Sequence, residues 1–166
     1  QMTLTSRMAE HDRVYGLGEN LRGINKRGWI YESKCTDDPN HMEEKRSLYA
    51  AHNFFVVDGS ETFGVFVDYP GIVSFDIGYT KMEELKIQAS DWNLDVYVIT
   101  GMDVKDIVKQ FRKMIGRSYI PPLWAFGYGQ SRWGYRSEDD VREVVKAYRD
   151  LQIPLDSVYL DIDYME

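Results

Sequence analysis

Cysteine is nearly absent from this chain. Cys35 is the only one in 166 residues, which rules out an internal disulfide and any cysteine-based metal cluster. Its side chain is expected to pack as a small buried or half-buried residue, in a reducing, cytoplasmic setting. Histidine is scarce as well. His11, His41 and His52 lie far apart, without metal-ligand spacing, so no metal site and no cofactor are expected. No apolar run approaches the ~20 residues that span a bilayer, and no secretory leader is visible. The first residue is Gln1, not Met, so an upstream segment is expected to be missing. Basic residues are outnumbered, 20 Lys and Arg against 27 Asp and Glu, for a net charge of −7. Phosphate recognition needs clustered Lys and Arg, so this balance argues against a nucleic-acid partner. Internal repeats and low-complexity stretches are also lacking.

What is present is an ordinary hydrophobic fraction, 43%, with a high aromatic fraction of 14%. A sizeable core is possible, and most of the rings are expected to fill it. Up to about Thr100 the chain reads as all-β, with short apolar runs cut by Gly, Asp, Asn and Pro. The expected strands are Arg13–Leu17, Arg27–Glu32, Asn53–Asp58, Thr62–Asp68, Ile72–Ile77, Leu85–Ala89 and Leu94–Ile99. Many short strands at regular spacing imply a sandwich. The pattern changes at Gly101. Val104, Ile107, Val108, Phe111 and Ile115 recur at helical spacing, with Asp103 to cap the start and Gly116 to end the helix. Pro121-Pro122 then forms a stiff, extended joint. The expected division is a sandwich domain over 1–118, with a connecting helix at about 103–116, and a second domain over 119–166.

In the second part, Leu123–Gly129 reads as a strand. Ser137 and Asp140 have capping-box spacing and open a helix with Val141, Val144, Val145, Tyr148 and Leu151 on its apolar face. Ile153-Pro154 is expected to break it, and Ser157–Asp163 to form the next strand. Strand, helix, strand of this length is a βαβ unit with a parallel pair. In a β/α barrel, chemistry sits at the carboxyl ends of such strands. Two segments qualify: Gln130–Tyr135, expected just past the first strand, and Asp161-Ile162-Asp163 at the end of the second. Asp161 and Asp163 share one face if that strand stays regular. Carboxylates there are costly unless they bind a sugar hydroxyl, a metal or an arginine. An indole beside a carboxylate suits a sugar, covering its C–H face while the carboxylate accepts hydroxyl hydrogen bonds.

Four segments in order carry a resemblance. Tyr15-Gly16-Leu17-Gly18-Glu19, Pro121–Gly127, Gln130-Ser131-Arg132-Trp133-Gly134-Tyr135 and Leu160-Asp161-Ile162-Asp163-Tyr164-Met165 resemble glycoside hydrolase family 31, most of all its α-glucosidases. The resemblance implies an N-terminal β-sandwich followed by a (β/α)8 barrel. It also implies hydrolysis of terminal α-glucosidic bonds with retention, through two carboxylates roughly 5 Å apart. Both carboxylates belong to later barrel strands in the family. A whole barrel takes ~250 residues, so the barrel begun here is incomplete and neither carboxylate is expected in this chain, which is expected to be inactive alone. The resemblance instead implies sugar-binding roles. Asp161 accepts hydroxyls of the glucosyl ring in the −1 subsite, Ile162 lines the same pocket, and Trp133 is the aromatic beside the sugar. Asp37, in the Cys35-Thr36-Asp37-Asp38 loop, contacts the leaving-group sugar. The implied partner is an α-glucoside oligosaccharide such as maltose or isomaltose. The family often carries His where this chain has Gly129, which leaves the subgroup open.

Other readings stand beside these. Asp163 is expected to pair with a neighbour on the barrel rim, Arg132 to be a buried ion-pair partner, and Glu19 to support the sandwich. An Asp-x-Asp strand end also occurs in metal-dependent nucleotide-sugar transferases, but no phosphate-cradling glycine loop accompanies it here. A non-catalytic carbohydrate-binding sandwich and an α-xylosidase of the same family are the remaining alternatives.

Overall fold

Short β-prone runs fold into antiparallel ladders, and a computed structural model describes residues 1–164, so Met165 at the end of the fourth motif and Glu166 lie outside the described residues. The chain divides into two units, Gln1–Arg117 and Ser118–Glu166. The first contains β1 (Met2–Arg7), β2 (Arg13–Gly18), β3 (Trp29–Glu32), β4 (Ala51–Asp58), β5 (Phe63–Asp68), β6 (Val73–Ile77), β7 (Glu84–Ala89), β8 (Asp95–Thr100) and α1 (Val104–Ile115). One sheet has the order β1-β7-β6-β3 and the other β2-β4-β5-β8, with every neighbouring pair antiparallel. The core includes Val14, Phe55, Val57, Val67, Phe75 and Ile77, all buried between them. The all-β sandwich expected for this region is therefore what forms. β1 is the strand the sequence reading misses. Only Met2 is buried in it, so its pattern is weak, and its ladder to β7 supplies the order that propensity does not.

β4 shows why an unbroken apolar run is needed. Phe54, Phe55, Val56 and Val57 are all buried, since α1 covers the face that the other sheet does not. Ile107 and Phe111 of α1 seal a second core with Phe54 and Val56, and the Phe54 and Phe111 rings stack at 3.8 Å. As the spacing predicts, the Asp103 side chain caps α1 by accepting the Asp106 N–H at 2.8 Å, and Gly116 ends it.

The Tyr15–Glu19 motif is a bulge. Gly16, Leu17 and Gly18 all have positive φ, and the β2–β4 register shifts between Gly16 and Gly18. A Cβ at Gly16 would lie 2.5 Å from the Phe54 carbonyl oxygen, so only glycine fits there. The bend drives Leu17 into the core, and the Glu19 carboxylate accepts the Ala50 N–H at 3.1 Å, a support role as expected.

Two buried carboxylates tie the turns of this unit. Asp12 accepts N–H groups of Ala9 at 2.7 Å and Ser60 at 3.0 Å. Asp76 accepts those of Tyr79 at 3.0 Å and Thr80 at 3.1 Å, with Lys86 3.7 Å away. Burial alone would raise both pKa values, but these donors, with Arg27 near Asp12, hold both carboxyls below their ordinary value. Their stabilisation is thus complete above the ordinary carboxylate pKa of about 3.9 and is lost as pH falls through the lower folded values. Urea midpoints should stay level from neutrality to about pH 5 and drop below about pH 4. Asp12→Asn should cost about 1.5–3 kcal/mol at pH 7 and flatten part of that drop.

The second unit has β9 (Gly129–Arg132), α2 (Glu138–Asp150) and β10 (Ser157–Leu160). β9 and β10 pair in parallel, with α2 as the crossover, giving the partial βαβ start of a barrel. The expected strand at Leu123–Gly129 is not formed. Leu123–Phe126 is a 3-10 turn closed by Ala125 N–H to Pro122 O at 3.0 Å and Gly127 N–H to Trp124 O at 3.1 Å. Pro121 and Pro122 lack N–H donors, the turn after them closes on its own backbone, and the ladder starts only at Gly129. The capping box of α2 is complete: Ser137 Oγ accepts the Asp140 N–H, and Asp140 accepts the Ser137 N–H, both at 3.1 Å.

The helix stops before Ile153-Pro154. Ile153 N–H bonds Tyr148 O at 2.9 Å and Gln152 N–H bonds Arg149 O at 3.1 Å, with Gln152 at φ 56°. This is a Schellman end with glutamine where glycine is preferred. Gln152→Gly should therefore stabilise the helix end by about 1 kcal/mol, read as a raised urea midpoint, with no gain if that turn frays in solution. Among the described residues, no helix is long and apolar enough to cross a membrane.

Candidate functional site

The βαβ unit brings two strand ends together. The ladder pairs Ser157 with Gly129, Val158 with Gln130, Tyr159 with Ser131 and Leu160 with Arg132. Trp133 and Asp161 each follow the last pair by one residue, so both leave the same end of neighbouring parallel strands. The start of the ladder is held by Asp156, which accepts the Tyr128 N–H at 3.2 Å and donates its own N–H to Tyr128 O at 2.9 Å. On the α2 side, Gln130 Oε1 accepts hydroxyls of Tyr148 at 2.5 Å and Tyr128 at 2.9 Å. The hydrogen bond with Tyr128 pushes the Tyr148 hydroxyl pKa up, with smaller contributions from burial and neighbouring tyrosines.

The site residues lie as follows. Trp133 and Ile162 are exposed by 73% and 66%, so the indole and the isoleucine side chain both face solvent. Asp161 is exposed, and its Oδ1 accepts the Ile162 N–H at 2.7 Å, which sets the carboxylate's orientation. No hydrogen bond to its Oδ2 occurs among the described residues. Asp37 is an exposed residue of the long β3–β4 loop in the first unit. That loop is braced by Asp38, which pairs with Lys45 at 2.5 Å and accepts the Asn40 N–H at 2.9 Å. The Lys45 hydrogen bond, followed by that from Asn40, lowers the Asp38 pKa.

Several expectations are corrected here. β10 ends at Leu160 and Ile162–Tyr164 is a 3-10 turn, so Asp161 and Asp163 do not share a strand face. The Tyr164 N–H bonds Asp161 O at 3.2 Å, and this local closure ends the alternation. Gln130–Arg132 are part of β9, not of the loop after it. Arg132 is exposed, not a buried ion-pair partner, and lies 6.0 Å from the centre of the Tyr135 ring. Asp163 makes no ion pair among the described residues; it lines a cleft of about 440 Å³ with Arg132, Trp133, Gly134, Arg136 and Asp140. Asp140 is held below its ordinary pKa, first by the Arg136 N–H and then by Ser137, with Arg132 adding a smaller effect. This mixed cleft goes unforeseen because the turn that gathers it is not visible in periodicity. Cys35 is exposed, since its loop lies outside both cores. Among the described residues, no group of three or more His, Cys, Asp or Glu is arranged to hold a metal.

A β-sandwich followed by a parallel βαβ unit, with an indole and a carboxylate at adjacent strand ends, has the layout of a sandwich-and-barrel glycosidase. The chain belongs to glycosyl hydrolase family 31: residues 1–76 match the family's N-terminal galactose mutarotase-like domain and residues 118–166 match its TIM-barrel domain. It is 38% identical over 160 residues to alpha-glucosidase 2 of Bacillus thermoamyloliquefaciens, covering 95% of this chain and 20% of that protein. It is 32% identical to an alpha-xylosidase of Saccharolobus solfataricus, over 95% of this chain and 21% of that protein. The structure also resembles a GH31 dextranase of Flavobacterium johnsoniae solved with isomaltotriose. The TM-score is 0.88 at 28% identity, covering 99% of this chain and 20% of that one. The chain thus spans about a fifth of the length of these relatives.

Proposed function

We propose that the protein carrying this chain is a retaining α-glucosidase that releases terminal, non-reducing α-linked glucose. In this reading residues 1–118 form the sandwich domain with its connecting helix, and residues 119–166 begin the catalytic barrel. The chain contributes part of the −1 and +1 subsites, while both catalytic carboxylates lie elsewhere in the protein. Asp161 accepts hydroxyls of the −1 sugar, Trp133 stacks beside it, Ile162 lines the pocket, and Asp37 reaches the leaving-group sugar.

The observation that carries this reading is the register. Leu160 pairs with Arg132, so the carboxylate of Asp161 and the indole of Trp133 follow at matching positions on adjacent parallel strands. One free carboxylate edge and one open aromatic face are what a pyranose presents partners for. The alpha-glucosidase among the relatives supports glucose, and the dextranase solved with isomaltotriose supports an α-linked glucan. The alpha-xylosidase keeps a pentoside as a second reading. The exposed thiol of Cys35 suits a reducing, cytoplasmic setting.

The test is to incubate the complete protein with maltose and with isomaltose and follow the released sugar by proton NMR. α-Glucose should appear first, ahead of mutarotation. β-Glucose first, or no hydrolysis of either sugar, would sink the reading. The 166-residue chain alone should release no glucose.

A further inference from the structure

We infer that Gly129 sets the depth of the sugar pocket, by leaving the space into which the Tyr159 ring folds beneath the level of Asp161 and Trp133. The inference rests on the proposed sugar site and adds to it a residue that determines which sugar fits. Val158 and Leu160 line a groove with Val141 and Val145 of α2. Strand alternation therefore sends Ser157 and Tyr159 to the opposite face, together with Gly129 and Ser131. Tyr159 pairs with Ser131, yet its ring does not stand over that partner alone. A Cβ on Gly129 would lie 2.5 Å from Tyr159 Cε2 and 2.9 Å from Ser157 Oγ. The ring thus leans back toward the start of β9, into room that exists only because residue 129 has no side chain.

Asp161 follows Tyr159 by two residues, roughly 6–7 Å further along the strand direction. The tyrosine ring is consequently the layer under the residues that meet the sugar. A side chain at 129 would take the ring's place and turn it toward the strand ends, raising the floor. In an enzyme that removes a terminal non-reducing sugar, C1 faces the leaving group at the pocket mouth. C4 and C5, with the hydroxymethyl arm, lead inward. A raised floor therefore obstructs a hexose more than a pentose, which lacks that arm.

Two measurements test this. In a crystal structure of the complete protein, the Tyr159 ring is expected in van der Waals contact with the Gly129 backbone, within about 4.5 Å. Its absence overturns the inference. In the complete protein, kcat/KM is compared for p-nitrophenyl α-glucoside and α-xyloside. Gly129→Val should lower the glucoside-to-xyloside ratio about ten-fold or more. Adding Tyr159→Ala should bring the ratio back to within about three-fold of wild type, because the two positions are coupled. If Gly129→Val does not fold, Gly129→Ala, which adds the Cβ alone, should shift the ratio in the same direction. An active wild type whose ratio is unmoved by a folded variant at 129 overturns the inference while leaving the proposed function intact. A wild type inactive on both substrates overturns the proposed function.

Discussion

Asp161→Asn is expected to lower kcat/KM for maltose about 10²–10³-fold in the complete protein, equivalent to roughly 3–4 kcal/mol. The carboxylate has one oxygen engaged by the Ile162 N–H at 2.7 Å, which fixes the plane of the group. Its other oxygen meets no hydrogen-bond donor among the described residues and remains for sugar hydroxyls. A charged acceptor bonded to a hydroxyl contributes about 1.5–3 kcal/mol. Asparagine weakens the acceptor that remains and turns the second position into a donor, so one sugar hydroxyl must reverse or lose its bond. The loss should appear in both kcat and KM, since the bonds to these hydroxyls hold the bound sugar and strengthen in the transition state. Asp163→Asn is the comparison. Asp163 lies beyond the end of β10, beside Arg132 and Arg136 in the small cleft, and its amide should leave kcat/KM within about three-fold. An Asp161→Asn enzyme of near wild-type efficiency would remove Asp161 from the proposed site.

Phe111→Ala is expected to destabilise the first unit by about 3–5 kcal/mol, the largest stability effect of any single substitution considered. The Phe111 ring is 4% exposed. It stacks on Phe54 at 3.8 Å and meets Phe66 at 5.2 Å, so its loss opens a cavity between α1 and the β2-β4-β5-β8 sheet. Ile107, with the partly buried Val104, would then hold the helix to that sheet. Denaturant unfolding should show the shift in midpoint. A loss below about 1 kcal/mol would mean that α1 is dispensable to the sandwich and the second core contributes little. Domains typically hold only about 5–15 kcal/mol of net stability, so this one ring decides whether the unit stays folded at elevated temperature.

The fold was legible wherever a periodic apolar pattern met a single kind of surface. β5 and β7 alternate or run apolar as their burial requires, and α1 shows its Ile107 and Phe111 stripe. The caps at Asp103 and Ser137 were equally legible, because cap chemistry is local and needs no partner from elsewhere. Misreadings fell where local hydrogen bonds or distant pairing took over. Leu123–Phe126 looks like a strand by composition but closes on itself after two prolines, while polar Gly129–Arg132 becomes the strand because β10 pairs with it. β1 escapes the sequence pattern for the same reason: a mostly exposed strand is defined by its neighbour.

The sequence by itself determined the order of the elements, the change from β to helical periodicity near Gly101, the caps, and the motifs that mark the family. These depend on residues close together in the chain, where spacing alone states the physics. Only the tertiary structure decided that Asp161 and Asp163 part company, that Trp133 and Asp161 leave adjacent strands in register, and that Tyr159 fills the space above Gly129. The first follows from the closure of Tyr164 N–H on Asp161 O, and the other two from ladder pairing and close approach between segments some 30 residues apart, where the energy lies in contacts that no local pattern records.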